Sequence, residues 1–404
     1  MKIAIISPGS FSVPPVIGSS VEHDIQMVAE QMVAEDHEVT VYTRRCREYK
    51  RSSRHGKLYY KRIGFKRYEF YLRKVISHLK RNQPDVILVE NRPSYIMKIR
   101  EYFPHLPLVL NMHSTVFASP PYISYPEMIK VAKVCDALLT NSKYLKNYYV
   151  KKYPPFKDKA YGVHLGINSA PFEEASEREE KIAEIRRRFN LKEGEPTLLF
   201  VGRLMRAKGI HLLLNVMPRL IKKYPKLKLV IAGSPRYGRN ISTPYVRLLK
   251  QKTSRLKKHI VFTNFVPPDK IPYIYQLADV VIIPSLWQEP FGRVNLEAMA
   301  STKAVVASNR GGIPEVIRDR ENGFIVSVSL RRYRDELYEG ISKLLESEEL
   351  REEYGKRGLE LAKNFTWSKT AGEYLQIFEN LTNEFIQNER KIEEEATINR
   401  SDGD

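Results

Sequence analysis

Val280-Val-Ile-Ile-Pro-Ser-Leu-Trp-Gln-Glu-Pro-Phe-Gly-Arg-Val-Asn-Leu-Glu297 decides how this chain is read. Its first four residues form a short apolar run bounded by proline, the pattern of a buried strand. Pro-Phe-Gly then makes a turn that opens into a helix. Glu289 and Glu297 frame that turn, seven residues lying between them. Two carboxylates beside the unpaired N–H groups of a helix start suit a ligand that is both hydroxyl-rich and anionic. A nucleotide-sugar has that chemistry.

Outward from this stretch, apolar strands alternate with helical segments, which argues for parallel sheets. One set lies at residues 2–7, 38–43, 86–90, 108–112 and 137–141. A second lies at 197–202, 228–233, 260–264, 280–284, 304–308 and 323–326. Most are rich in Val, Ile and Leu without alternation, as strands covered on both faces are. The expected architecture is α/β, two Rossmann-like doubly wound domains facing a cleft. Residues 1–168 form the first domain, with a linker at 162–168, and residues 169–366 the second. A helix at 367–387 follows, and the polar residues 388–404 read as an unstructured tail.

The chain has 404 residues, 42% of them apolar, enough for two cores. No apolar run approaches the ~20 residues of a membrane span. Residues 1–7 are too short for a signal peptide and run straight into Pro8-Gly-Ser10, so they read as a first strand. Cys46 and Cys135 have no metal-binding or redox spacing and read as reduced thiols of a cytoplasmic protein. The net charge of +20 is uneven, because residues 44–81 hold fifteen Lys/Arg against Glu48 and Glu69. A solvated basic face explains this segment, and so does attraction to an anionic membrane or charged glycan. Phe65, Tyr68, Leu72, Val75, Ile76 and Leu79 recur there at helical spacing, a face expected to pack on its own sheet. No motif supports nucleic-acid binding.

Three more loops follow strands. Gly202-Arg-Leu-Met-Arg-Ala-Lys-Gly209 projects Arg203 and Lys208 from a strand-to-helix loop, where open sheets bind ligands. A cation pair there suits a diphosphate, and equally suits surface acids. Gly311-Gly-Ile-Pro-Glu315 permits close approach of a ligand, or is a plain turn. Pro14-Pro-Val-Ile-Gly-Ser-Ser-Val-Glu22 precedes a helix and can donate N–H groups to phosphate. His113 ends the strand at 108–112, as a structural or a reacting histidine.

In their order along the chain the five elements resemble the retaining GT-B glycosyltransferases of group 1 (family 4), over the chain to about residue 385. The resemblance implies that Arg203 and Lys208 bind the donor diphosphate and stabilise the leaving group. Glu297 would bind ribose hydroxyls. Glu289 would hold the transferred sugar beside the N–H groups of Phe291 and Gly292. Gly18 and Ser19 would contact phosphate, although the family has Gly-Gly where this chain has Gly18-Ser19. His113 would touch the donor sugar near the reacting centre. No metal or other cofactor is expected, since the one Asp-x-Asp, Asp402-Gly-Asp404, lies in the tail. The donor is expected to be a nucleoside-diphosphate sugar, UDP-linked by preference. The acceptor, whether glycan, lipid, protein or small molecule, is expected near His113 and Glu90-Asn-Arg-Pro-Ser94, with Arg92 and Tyr95 as contacts. Two alternatives stay open. One is a nucleotide-sugar epimerase of the same fold. The other is a weakly active structural protein of a spore coat or envelope, because members linked to spore coats resemble this chain. A dehydrogenase is disfavoured, since no two glycines stand at G-x-G spacing.

Overall fold

The computed structural model describes residues 1–17, 19–64, 67–236, 238, 240–329 and 332–401, without the side chains of 392, 393 and 395–401. The chain divides into two compact units, Met1–His164 with Trp367–Asp404, and Leu165–Thr366. The break between His164 and Leu165 falls inside the expected linker, a few residues before the expected boundary at 168.

The first unit holds one eight-stranded sheet. Its strands are β1 (Lys2–Ile6), β2 (Glu38–Arg44), β3 (Ser52–His55), β4 (Leu58–Ile63), β5 (Val86–Glu90), β6 (Leu108–Met112), β7 (Ala137–Thr140) and β8 (Ala160–Gly162). Their order is β3-β4-β2-β1-β5-β6-β7-β8. All neighbours are parallel except the edge hairpin β3–β4. Every residue of β5, β6 and β7 is buried, as helices on both faces require.

Among the described residues, β3, β4 and β8 are additions to the strands expected from sequence. The hairpin turns at Gly56, whose φ of +59° suits glycine. The helix Tyr68–Leu79 buries Tyr71, Leu72, Val75, Ile76 and Leu79 on the sheet, while Arg73 and Lys74 face outward. Tyr68 is half exposed, and Phe65 lies outside the described residues. The apolar stripe is therefore ordinary packing, as its spacing implied.

The second unit holds β9 (Thr197–Val201), β10 (Lys228–Ala232), β11 (Ile260–Asn264), β12 (Val280–Ile283), β13 (Ala304–Ser308) and β14 (Gly323–Val326). They lie in the order β11-β10-β9-β12-β13-β14, all parallel. In this order the chain reverses direction across the sheet between β9 and β12. In the first unit it does so between β1 and β5. Loops leaving the carboxyl ends of those strand pairs diverge and leave a crevice, the usual ligand position in an open α/β sheet.

The helix Trp367–Ser401 belongs to the first unit and packs against the helix Ser20–Ala34. It runs on through the stretch expected to be unstructured. The composition explains the difference: residues 388–397 are rich in Glu, with Lys, Arg and Ala, which are good helix formers even without a surface to pack on. Asp402-Gly-Asp404 lies outside the described residues. Among the described residues, no helix is long and apolar enough to cross a membrane.

Candidate functional site

In the second unit, the loops after β9 and β12 meet at the reversal point. Lys208 Nζ donates to Glu289 Oε1 at 2.5 Å, and Ser285 Oγ donates to the same oxygen at 2.7 Å. Glu289 is only 5% exposed. The two residues stand 81 positions apart, and their loops are fastened by backbone. Leu286 and Trp287 N–H both donate to Ala207 O, at 2.9 and 3.0 Å. Gly209 starts the helix Ile210–Lys223 at φ +71°, and a Cβ there would lie 1.7 Å from Pro284 O. Only glycine allows that approach.

Gly311-Gly312 plays the same part from a third loop. Gly312 N–H donates to Glu289 O at 2.8 Å, and a Cβ on Gly311 would lie 2.0 Å from that oxygen. The close approach read from the sequence is thus made to the backbone of Glu289.

The helix Arg293–Ala300 begins at Gly292, φ +83°. Buried Asn295 closes the turn, with its Nδ2 donating to Gly292 O at 2.8 Å. Phe291 is buried against Phe365. The side chain therefore anchors the turn, leaving only backbone to meet a ligand. Glu297 is one helical turn deeper and accepts from the buried Tyr275 hydroxyl at 2.9 Å. Burial, then Glu297, raises the Tyr275 pKa well above the usual phenol value, so it stays a donor. Arg203 is exposed at the mouth of its loop.

In the first unit, His113 stands just beyond β6, and 8% of it is exposed. Its Nε2 lies 2.8 Å from Glu90 Oε2, and its Nδ1 lies 3.6 Å from Asp24 Oδ2. Burial opposes the imidazolium, but the Glu90 hydrogen bond and the charges of Glu90, Asp24 and Glu22 outweigh it. The His113 pKa is raised above its ordinary value. Asn111 Nδ2 donates to Tyr374 Oη at 2.9 Å, tying this network to the helix Trp367–Ser401. Asp24, Asn111 and Tyr374 are contributors that the sequence reading did not assign, whereas it places Glu90 only at the start of a loop near the acceptor. The available signals were a carboxylate ending Val86-Ile-Leu-Val-Glu90 and an amide inside Leu108-Val-Leu-Asn-Met112.

Ser19 Oγ donates to Glu22 Oε2, and Phe11 N–H donates to Glu22 Oε1 at 3.3 Å. The Ser19 hydroxyl is thus engaged by the first turn of the helix Ser20–Ala34. Gly18 lies outside the described residues. Arg92 stacks on Phe117 at 4.0 Å and donates to Asn91 O and Ser10 Oγ. Tyr95 corrects the expectation of an acceptor contact. It is 1% exposed and packs against Tyr71, because it shares the inward face of Pro93–Tyr102 with Ile96 and Ile99. Among the described residues, no three His, Cys, Asp or Glu side chains are grouped as a metal ion would need.

Residues 181–361 match the model of the glycosyl transferases group 1, and residues 21–170 match that of glycosyltransferase family 4. The chain belongs to the group 1 (family 4) glycosyltransferases. It is 32% identical to the spore coat protein SA of Bacillus subtilis, over 94% of this chain and 99% of that protein. It is 25% identical to the lipopolysaccharide 1,2-N-acetylglucosaminetransferase of Salmonella typhimurium, over 94% and 98%. Among solved structures it resembles Anabaena HepE in complex with UDP, with TM-score 0.74 and 18% identity over 94% of this chain and 100% of that one. That likeness carries the GT-B fold.

Proposed function

We propose that this glycosyltransferase moves a sugar from a nucleoside-diphosphate sugar, UDP-linked by preference, to a glycan, lipid or envelope acceptor. The transfer retains anomeric configuration and uses no metal. The observation that carries the reading is the Lys208–Glu289 pair, held at the reversal point of the second sheet by three fastened loops. A diphosphate entering there draws Lys208 Nζ from Glu289, and hydroxyls of the sugar replace it as donors to the carboxylate. Arg203 joins Lys208 on the phosphates, and the helix start at Gly292 adds N–H groups and its dipole. Glu297 takes the ribose hydroxyls while Tyr275 holds one of its oxygens.

Breaking the sugar–phosphate bond places charge on the leaving diphosphate, where Arg203 and Lys208 stabilise it. The transition state is oxocarbenium-like, with attack on the face that the diphosphate leaves. His113, whose protonated form Glu90 and Asp24 favour, supports the sugar and the acceptor side. The UDP and UDP-glucose complexes of HepE support the choice of donor class.

The likeness to a protein named for the spore coat favours a second reading, a coat- or envelope-associated chain with weak turnover. Nucleotide release from UDP-, GDP- and ADP-sugars, with and without EDTA, separates the two. Release from one donor that survives EDTA and falls at least about 100-fold in Lys208→Ala supports transfer. No release from any donor favours the second reading.

A further inference from the structure

The carboxyl ends of the adjacent parallel strands β2 and β4 frame a cavity of about 500 Å³ in the first unit. Arg44, Arg45, Cys46, Arg47, Lys50 and Arg51 line it. Among the described residues, Arg45, Arg47, Lys50 and Arg51 are in no ion pair, and Glu48 is the one acid of the segment. Arg44 Nη1 donates to Ser10 O at 3.2 Å, so the cavity adjoins the loop that Arg92 holds through Ser10 Oγ.

Behind the cavity wall lies Arg62, which is 4% exposed. Its guanidinium sits 4.7 Å from the Tyr49 ring centre and 5.0 Å from that of Tyr60. Nη1 donates to Lys50 O and Ser53 Oγ, Nη2 donates to Val13 O, and Nε has no partner. A buried cation without a carboxylate is expensive, and aromatic faces repay only part of it. Four unpaired cations lining a concave wall in front of it repel one another as well. An anion in the cavity offsets the mutual repulsion of the lining cations and lowers the cost of the cation behind them. The cavity opens at the carboxyl ends of its strands, and its volume suits a sugar phosphate or a lipid headgroup.

We propose that this cavity binds the phosphate of a phosphate-bearing ligand, separately from the donor loops of the second unit. Arg47, Lys50 and Arg51 clasp the phosphate, and Arg62 holds the wall that presents them. The proposal stands whether or not the donor reading does.

Cys46 lines the cavity and Cys135 is fully buried, so thiol labelling of the folded protein reports on this place. Labelling is measured with pyrophosphate, and with vesicles of phosphatidic acid or of phosphatidylcholine, against sodium chloride of equal ionic strength. Pyrophosphate should slow it at least about fivefold relative to the salt control if the source is a soluble phosphate. Protection by phosphatidic acid vesicles alone identifies a lipid headgroup. Either effect should vanish in Arg47→Ala/Arg51→Ala, two exposed positions, with the ratio of rates as the readout. Neither probe outperforming salt, or protection that survives the double substitution, overturns the proposal. A UDP-induced thermal shift on the same preparations reports separately on the second unit.

Discussion

Replacing Gly209 by alanine tests whether the meeting of Lys208 with Glu289 depends on one close backbone approach. The new Cβ would stand 1.7 Å from Pro284 O and 2.8 Å from its carbonyl carbon, where ordinary contact begins near 3.4 Å. Because the obstacle is backbone, the loop or the end of β12 must shift by more than about 1.5 Å, an overpacking cost of roughly 1–3 kcal/mol. The left-handed φ of +71° adds roughly 1–2 kcal/mol for a residue with a Cβ. The total of about 2–5 kcal/mol lowers the melting temperature by roughly 4–20 °C for a unit of this size. The shift carries the adjacent Lys208 off Glu289, so the nucleotide response should disappear in protein that is still folded. Gly194→Ala is the control, with the same φ of +71° and nothing within 4 Å of the new Cβ. It should cost only the backbone part, roughly 1–2 kcal/mol, and keep the nucleotide response. Thermal unfolding of both variants with and without UDP is the assay. If Gly209→Ala is no less stable than Gly194→Ala and binds UDP as well, the reasoning about the fastened loops is wrong.

Glu297→Ala should weaken nucleotide binding about tenfold by calorimetry, whereas His113→Ala should leave binding nearly intact and suppress transfer. Tyr374→Phe removes one acceptor of the Asn111 amide, which also donates to Glu90, and should cost about 1 kcal/mol in denaturant unfolding. The raised His113 pKa has a definite sign. The stability it contributes is complete below the ordinary value near 6.5 and is lost as pH rises through the folded value. Glu90→Gln should therefore lower the His113 pKa in an NMR titration and shrink that pH-dependent stability. An unchanged titration would remove Glu90 as the cause.

The sequence made the parallel sheets legible because buried strands such as Val86–Glu90 and Ala304–Ser308 are continuous apolar runs. The β3–β4 hairpin escaped notice for the opposite reason. Its inward positions include Tyr60 and Arg62, so basic and aromatic residues hide the alternation. Motif spacing named Lys208 and Glu289 separately, but contact across 81 residues is a property of topology, and so is the role of Gly311 behind Glu289. Within the network of Asp24, Glu90, Asn111 and Tyr374 around His113, a polar residue in an apolar strand marks Glu90 and Asn111, but nothing linear joins them to Asp24 or Tyr374. The members come from four separate elements, and Asn111 and Tyr374 are 263 residues apart. Tyr95 misled because its loop is well placed while its own position on the helix points inward.

Thermal unfolding with UDP, GDP and ADP, each with and without EDTA, tests the central claim most directly. Ligand at ~100 times its dissociation constant adds roughly 2.7 kcal/mol, a shift of several degrees. The account predicts a shift with one nucleotide, UDP by preference, unchanged by EDTA and lost in Arg203→Ala. No shift with any nucleotide, or a shift that EDTA abolishes, would contradict it.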